Sequence, residues 1–130
     1  MAQFIVVVDG SPTTRKILET ALSREGYQVE SFSDPRPLLQ ALFSSEVHVP
    51  DLLFVELTLP NMGGFEVIRR VREREEFARV PVFIVSRRYG LLARLRAWWL
   101  GVNEYVAKPL KVQGVIALVR RYLPPGPAAE

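Results

Sequence analysis

The sequence predicts an α/β domain, a parallel sheet with helices wound on both of its faces. Two observations carry this. Short segments rich in Val, Ile and Phe alternate along the chain with segments of helical periodicity. One strand-like segment, Leu52 to Leu57, is almost wholly apolar, as expected of a central strand covered on both sides. A length of 130 residues suits one domain with an ordinary core.

The elements follow in order. The first strand is Phe4 to Val8. Ser11 and Pro12 then read as a helix cap and first-turn proline. The helix runs to about Glu25, with Ile17, Leu18, Ala21 and Leu22 on one face, and Gly26 stops it. A second strand, Gln28 to Phe32, ends at "SDPRP", which opens a short helix carrying Leu38, Leu39, Leu42 and Phe43. After the third strand, Pro60 to Gly64 make a turn. The third helix carries Phe65, Val67, Ile68 and Val71. A fourth strand is expected over residues 80–86 and a fourth helix from about Leu91 to Leu100, ended by Gly101. The last strand, Glu104 to Ala107, leads through Lys108 and Pro109 into a helix from about Val112 to Leu123. That helix is expected to bury Val112, Val115, Ile116 and Val119, and its interior Gly114 costs about 1 kcal/mol relative to alanine. The domain is expected to span residues 1–123, with a disordered tail over 124–130.

Composition excludes several classes. There is no cysteine, hence no disulfide framework or thiolate metal site. The N-terminal apolar run is short, β-branched and not preceded by a basic residue, unlike a signal peptide. No apolar run approaches a membrane span. A cytoplasmic protein without a membrane partner is therefore expected. The net charge of +3 comes from arginines scattered among glutamates, as in "RRVREREEFAR", so no nucleic-acid stripe is expected either.

In a doubly wound sheet, sites form where the strands end at their carboxyl edge. Asp9, Glu56, Ser86 and Lys108 all fall at or just past strand ends and should converge there. At these residues the chain resembles the receiver domain of bacterial two-component response regulators. The resemblance spans about residues 3–123 and rests on "FIVVVDG", "PDLLFVELTLPNMGGFEVI", "PVFIVS" and "YVAKPL" in that order. It implies a flavodoxin-like fold of five strands in the order 2-1-3-4-5. It further implies an aspartate at position 56 that accepts a phosphoryl group from a histidine kinase. An acidic pair at 9 and 10 would hold Mg²⁺, Ser86 and Lys108 would contact the phosphoryl oxygens, and the aromatic at 105 would reorient on activation.

This chain departs from that pattern where the chemistry lies. Position 56 is Glu, position 10 is Gly, and position 87 is Arg where the family keeps a small residue. Position 63 is also Gly where many members have Asp, a change in the turn. Glu56 is longer by about 1.5 Å, and a misplacement near 1 Å can cost about 100-fold in rate. Gly10 removes a candidate metal ligand, because Mg²⁺ demands near-octahedral oxygen ligation. Arg87 could place a guanidinium where the metal or phosphoryl group would lie. The expectation is a pseudo-receiver, not an enzyme, in which Glu56 pairs with Lys108 and Arg87 with Asp9. The alternative is a working phosphoacceptor that binds Mg²⁺ through Asp9 and Glu56. A weaker possibility is a small-anion pocket formed by Lys108, Ser86 and Arg87.

The fourth helix, "LLARLRAWWL", is apolar nearly all round. The resemblance sets its small face, Ala93 and Ala97, on the sheet, which leaves Trp98 and Trp99 at the surface. Half-burying a tryptophan in a partner yields about 2–3 kcal/mol. In receivers, partners and sister subunits dock on helix 4, strand 5 and helix 5. Leu95, Trp98, Trp99, Tyr105, Leu118 and Tyr122 are therefore the expected interface. The partner would be a histidine kinase, another regulator, a diguanylate-type enzyme, a motility component or a second copy. The opposite arrangement is a rotated helix with both indoles in the core. His48 reads as an ordinary loop residue, and Ser11, Thr13 and Thr14 as helix-start hydroxyls.

Overall fold

The computed structural model describes residues 3–44, 48–87 and 90–124. Its elements are β1 (Phe4–Val8), α1 (Pro12–Arg24), β2 (Gln28–Phe32), α2 (Pro35–Leu42), β3 (Leu52–Glu56), α3 (Gly64–Arg72), β4 (Val82–Ser86), α4 (Leu91–Trp99), β5 (Glu104–Ala107) and α5 (Val112–Tyr122). All strand pairs are parallel, and the sheet order is β2-β1-β3-β4-β5. The tail beyond residue 124 lies outside the described residues.

Side-chain alternation along the strands builds two cores. Ile5, Val7, Leu52, Phe54, Phe83 and Val85 face one layer and meet Leu18, Leu22, Val115 and Val119 of α1 and α5. Val6, Val8, Leu53, Val55, Val82 and Ile84 face the other and meet Leu38, Val67, Ile68, Val71 and Ala97 of α2, α3 and α4. β3 and β4 are buried at every position, consistent with their central place in the sheet.

Helix starts follow the local signals. Ser11 Oγ accepts from the Thr14 amide at 3.2 Å, with Pro12 opening α1. The Asp34 carboxylate accepts from the Arg36 amide at 2.8 Å, with Pro35 opening α2. The Arg36 guanidinium on that carboxylate holds its pKa down at about 2. The turn after β3 depends on Gly64: a Cβ there would stand 2.3 Å from the Glu56 carbonyl oxygen, so no larger residue fits.

Four expectations need correction. β4 starts at Val82, since Pro81 has no amide to give a ladder. Glu75–Phe77 form a 3₁₀ turn that buries Phe77, an element absent from the expected order of strands and helices. Val112 is exposed; it opens α5 past the sheet edge and lines a shallow groove against α1. On α1 the deeply buried residues are Thr14, Leu18 and Leu22, while Ile17 and Ala21 are only half-buried.

Candidate functional site

Asp9, Glu56, Ser86 and Lys108 do meet at the carboxyl edge. Asp9 directly follows β1, and Glu56 and Ser86 are the last residues of β3 and β4. Ser86 is buried, and its carbonyl accepts from the Lys108 amide at 2.9 Å, which holds the end of β5 beside that of β4. From there the Lys108 side chain reaches between the two acids. Its Nζ donates to Glu56 Oε1 at 2.6 Å and to Asp9 Oδ1 at 3.2 Å, and stands 3.0 Å from Asp9 Oδ2.

This cluster is shielded from water. The side chains of Lys108, Asp9 and Glu56 are 8%, 2% and 10% exposed, so the ion pairs work in a lower effective dielectric than surface pairs do. Burial alone would lower the Lys108 pKa. The hydrogen bonds to Glu56 and Asp9, with their charges, outweigh it and raise the pKa above 10.5.

The extra methylene of Glu56 is absorbed by a bend. Its Oε2 turns back to accept from the Leu57 amide at 2.8 Å, while Oε1 holds the lysine. Asp9 is engaged on one oxygen only. Its Oδ1 also accepts from the Ser11 amide at 2.8 Å, whereas its buried Oδ2 has no hydrogen-bond partner among the described residues and lies 3.0 Å from the lysine ammonium.

Arg87 is exposed, and Asp9 takes Lys108 as its cation instead. The expected Arg87–Asp9 pair is thus corrected: Lys108 stands within reach of both acids from the end of β5, while Arg87 stays at the surface. Gly10 is exposed and leaves room, since a Cβ would meet nothing nearer than Pro60 Cδ at 3.9 Å.

Toward a magnesium ion these residues offer a partial set. Among the described residues two carboxylates face the pocket, with the buried Asp9 Oδ2 lacking a hydrogen bond; position 10 supplies no third acid, and both carboxylates lie against the Lys108 ammonium. No group of three or more acidic, His or Cys residues suited to a metal occurs among the described residues.

The second candidate region is α4. Ala97 is its one buried residue, with Ala93 and Leu100 half-buried beside it. Leu91, Leu92, Leu95, Trp98 and Trp99 are 71%, 81%, 52%, 74% and 81% exposed, so the rotated-helix arrangement does not occur. Tyr105 is partly buried beneath α4, with the Arg94 guanidinium 5.6 Å above its ring. Leu118 and Tyr122 do not join this surface. They pack into the α1–α5 layer, where Tyr122 lies edge-on to Phe83 at 5.0 Å and its hydroxyl donates to Glu104 at 2.6 Å. The sequence placed them by helix number, without showing which layer their side chains join. His48 is an exposed loop residue.

The family model described as "Response regulator receiver domain" matches residues 5–120. Among solved structures, the chain is similar to the chemotaxis protein CheY4 of Vibrio cholerae, at 21% identity and a TM-score of 0.85, covering 95% of this chain and 100% of that one. A response regulator from Chloroflexus aurantiacus matches at 25% identity and a TM-score of 0.84, over 95% and 98% of the two chains. The receiver domain of a sensor histidine kinase from Pseudomonas aeruginosa, solved with magnesium in its active-site cleft, matches at 27% identity and a TM-score of 0.79, over 94% and 98%.

Proposed function

This chain belongs to the response regulator receiver domain family, and we propose that it acts in two-component signalling as a phosphorylation-independent protein-interaction module. One observation carries the reading. The Lys108 ammonium lies between Asp9 and Glu56 at 3.0 and 2.6 Å, in a shielded pocket. It already pairs with both of the acids that would have to bind a metal and attack phosphorus. Nucleophilic attack needs a carboxylate with an oxygen open to the phosphoryl group, and both oxygens of Glu56 are engaged. The chain on this reading catalyses no phosphotransfer of its own, and its output lies in what α4 binds.

Isothermal calorimetry with MgCl₂ on the intact chain tests the reading. The expected result is no binding isotherm at millimolar Mg²⁺. Saturable binding in the millimolar range or tighter would overturn it and make the chain a working phosphoacceptor.

A further inference from the structure

The outer surface of α4 has a shape and a charge that specify more than stickiness. At 100° per residue, Leu91, Leu92, Leu95, Trp98 and Trp99 form one crest, opposite the buried Ala97. Arg94 flanks the crest on one side and Arg96 on the other, with Arg96 lying 4.6 Å over the Phe65 ring. The crest presents on the order of 700 Å² of apolar surface. That exceeds the largest patch of a typical monomer, about 300–600 Å², and approaches the ~800 Å² each partner gives to a standard interface.

Beside the crest runs a groove of about 600 Å³, walled by Trp99, Asn103, Val80, Arg72 and Arg79. Arg72 is its unusual member. On the same helix, Arg69 and Arg70 pair with Glu66 and Glu73. Arg72 has no carboxylate. Its guanidinium donates instead to the carbonyls of Phe77, Ala78, Val80, Leu100 and Gly101, at 2.8 to 3.3 Å. Nη2 makes just one of these bonds, to Gly101, and keeps a second N–H. Burial lowers the pKa of this guanidinium, consistent with a cation short of counter-charge. Arg79 stands exposed on the groove wall, and no acid lines the groove. None of Arg72, Arg79, Arg94 and Arg96 forms a salt bridge among the described residues.

We propose that the α4 crest and the arginine-walled groove beside it are one docking site for an acidic amphipathic segment of another protein, whose apolar side chains cover Leu95, Trp98 and Trp99 and whose carboxylate enters the groove to meet Arg72 and Arg79. This rests on the interaction-module reading and names the chemistry of its partner. A second copy of the chain does not fit. α4 contains no acid, and antiparallel packing of two crests about Leu95 sets Arg94 against Arg94 and Arg96 against Arg96 of the two copies. A lipid surface fits less well, because an acyl interface would cover the apolar crest but offer no carboxylate to the arginine-walled groove beside it.

The test pans a random peptide library on the full chain, with counter-selection against the Trp98→Ala, Trp99→Ala variant. Enriched peptides are expected to combine aromatic or aliphatic residues with Asp or Glu. Their affinity should fall roughly tenfold or more with Arg79→Glu and weaken with added salt. Arg72→Ala removes bonds to two separate segments and is open to misfolding, so Arg79→Glu and Arg94→Glu, both exposed, carry the charge test. Enrichment of neutral or basic peptides, or of none, overturns the proposal. So does capture of the chain by phosphatidylglycerol vesicles in preference to the peptides, or a dimer in sedimentation that Trp98→Ala, Trp99→Ala dissolves. The Mg²⁺ titration does not probe α4. A chain that bound Mg²⁺ and still selected acidic peptides would lose the module reading and keep this surface.

Discussion

The sheet's carboxyl edge and the outer face of α4 treat charge in opposite ways. At the edge, one ammonium and two carboxylates are buried together and pair with one another. On α4 and its groove, four arginines stand beside an exposed apolar crest without a salt bridge among the described residues. The first region is complete within the chain, whereas the second is complete only with something added. On the proposed reading this inverts the division of labour that the family resemblance implies, in which the edge takes a cation and a phosphoryl group.

Breaking the closed region should have the largest effect. Lys108→Ala leaves two buried carboxylates facing each other, and loss of one partner of a buried pair costs about 3–5 kcal/mol. Urea denaturation would show it as a lower midpoint at unchanged slope. A loss under about 1 kcal/mol would mean that the cluster is wetter than its exposure indicates.

Reopening the region is the next test. Position 10 has room for a side chain, and shortening Glu56 withdraws an oxygen from Lys108. Gly10→Asp with Glu56→Asp should therefore create a magnesium site. Its melting temperature should rise with added Mg²⁺ while that of the parent chain stays fixed.

The open region should respond the other way. Trp98→Ala, Trp99→Ala removes exposed side chains, so folding stability should change by no more than about 0.5 kcal/mol per site. Binding of any selected partner should nevertheless fall by about 2 kcal/mol or more. The parent's tryptophan emission should sit at the red, water-exposed end; a strongly blue-shifted spectrum from a monomer would contradict the exposed crest.

pH separates the regions more gently. The Lys108 pKa is raised in the folded state, so its stabilisation is fully present below about pH 10.5. That contribution is lost as pH rises through the higher folded value. Alkaline titration should weaken the parent chain more steeply than Lys108→Met. Gly114→Ala, remote from both regions, is a control: the site has space for a methyl, with Lys111 Cβ at 3.9 Å, and should gain about 1 kcal/mol.

Much of this was legible in the sequence. Apolar runs marked β1, β3 and β4, and the strand-end positions of Asp9, Glu56, Ser86 and Lys108 foretold their convergence. The small face of α4, Ala93 and Ala97, marked the side that meets the sheet. What stayed hidden depends on distant backbone. Nothing local says that Glu56 bends back to the Leu57 amide, or that Lys108 rather than Arg87 reaches Asp9. Arg72 read as one more charge in a mixed run, because its partners are carbonyls contributed by the turn after α3 and the end of α4. Leu118 and Tyr122 carried an apolar signal that names no layer.

The central claim is that a lysine held between two acids leaves no place for phosphate. Incubation of the intact chain with acetyl phosphate and Mg²⁺, followed at once by intact-mass spectrometry, addresses it most directly. The account predicts the unmodified mass alone, whereas a stoichiometric phosphoryl adduct mapped to Glu56 would contradict it.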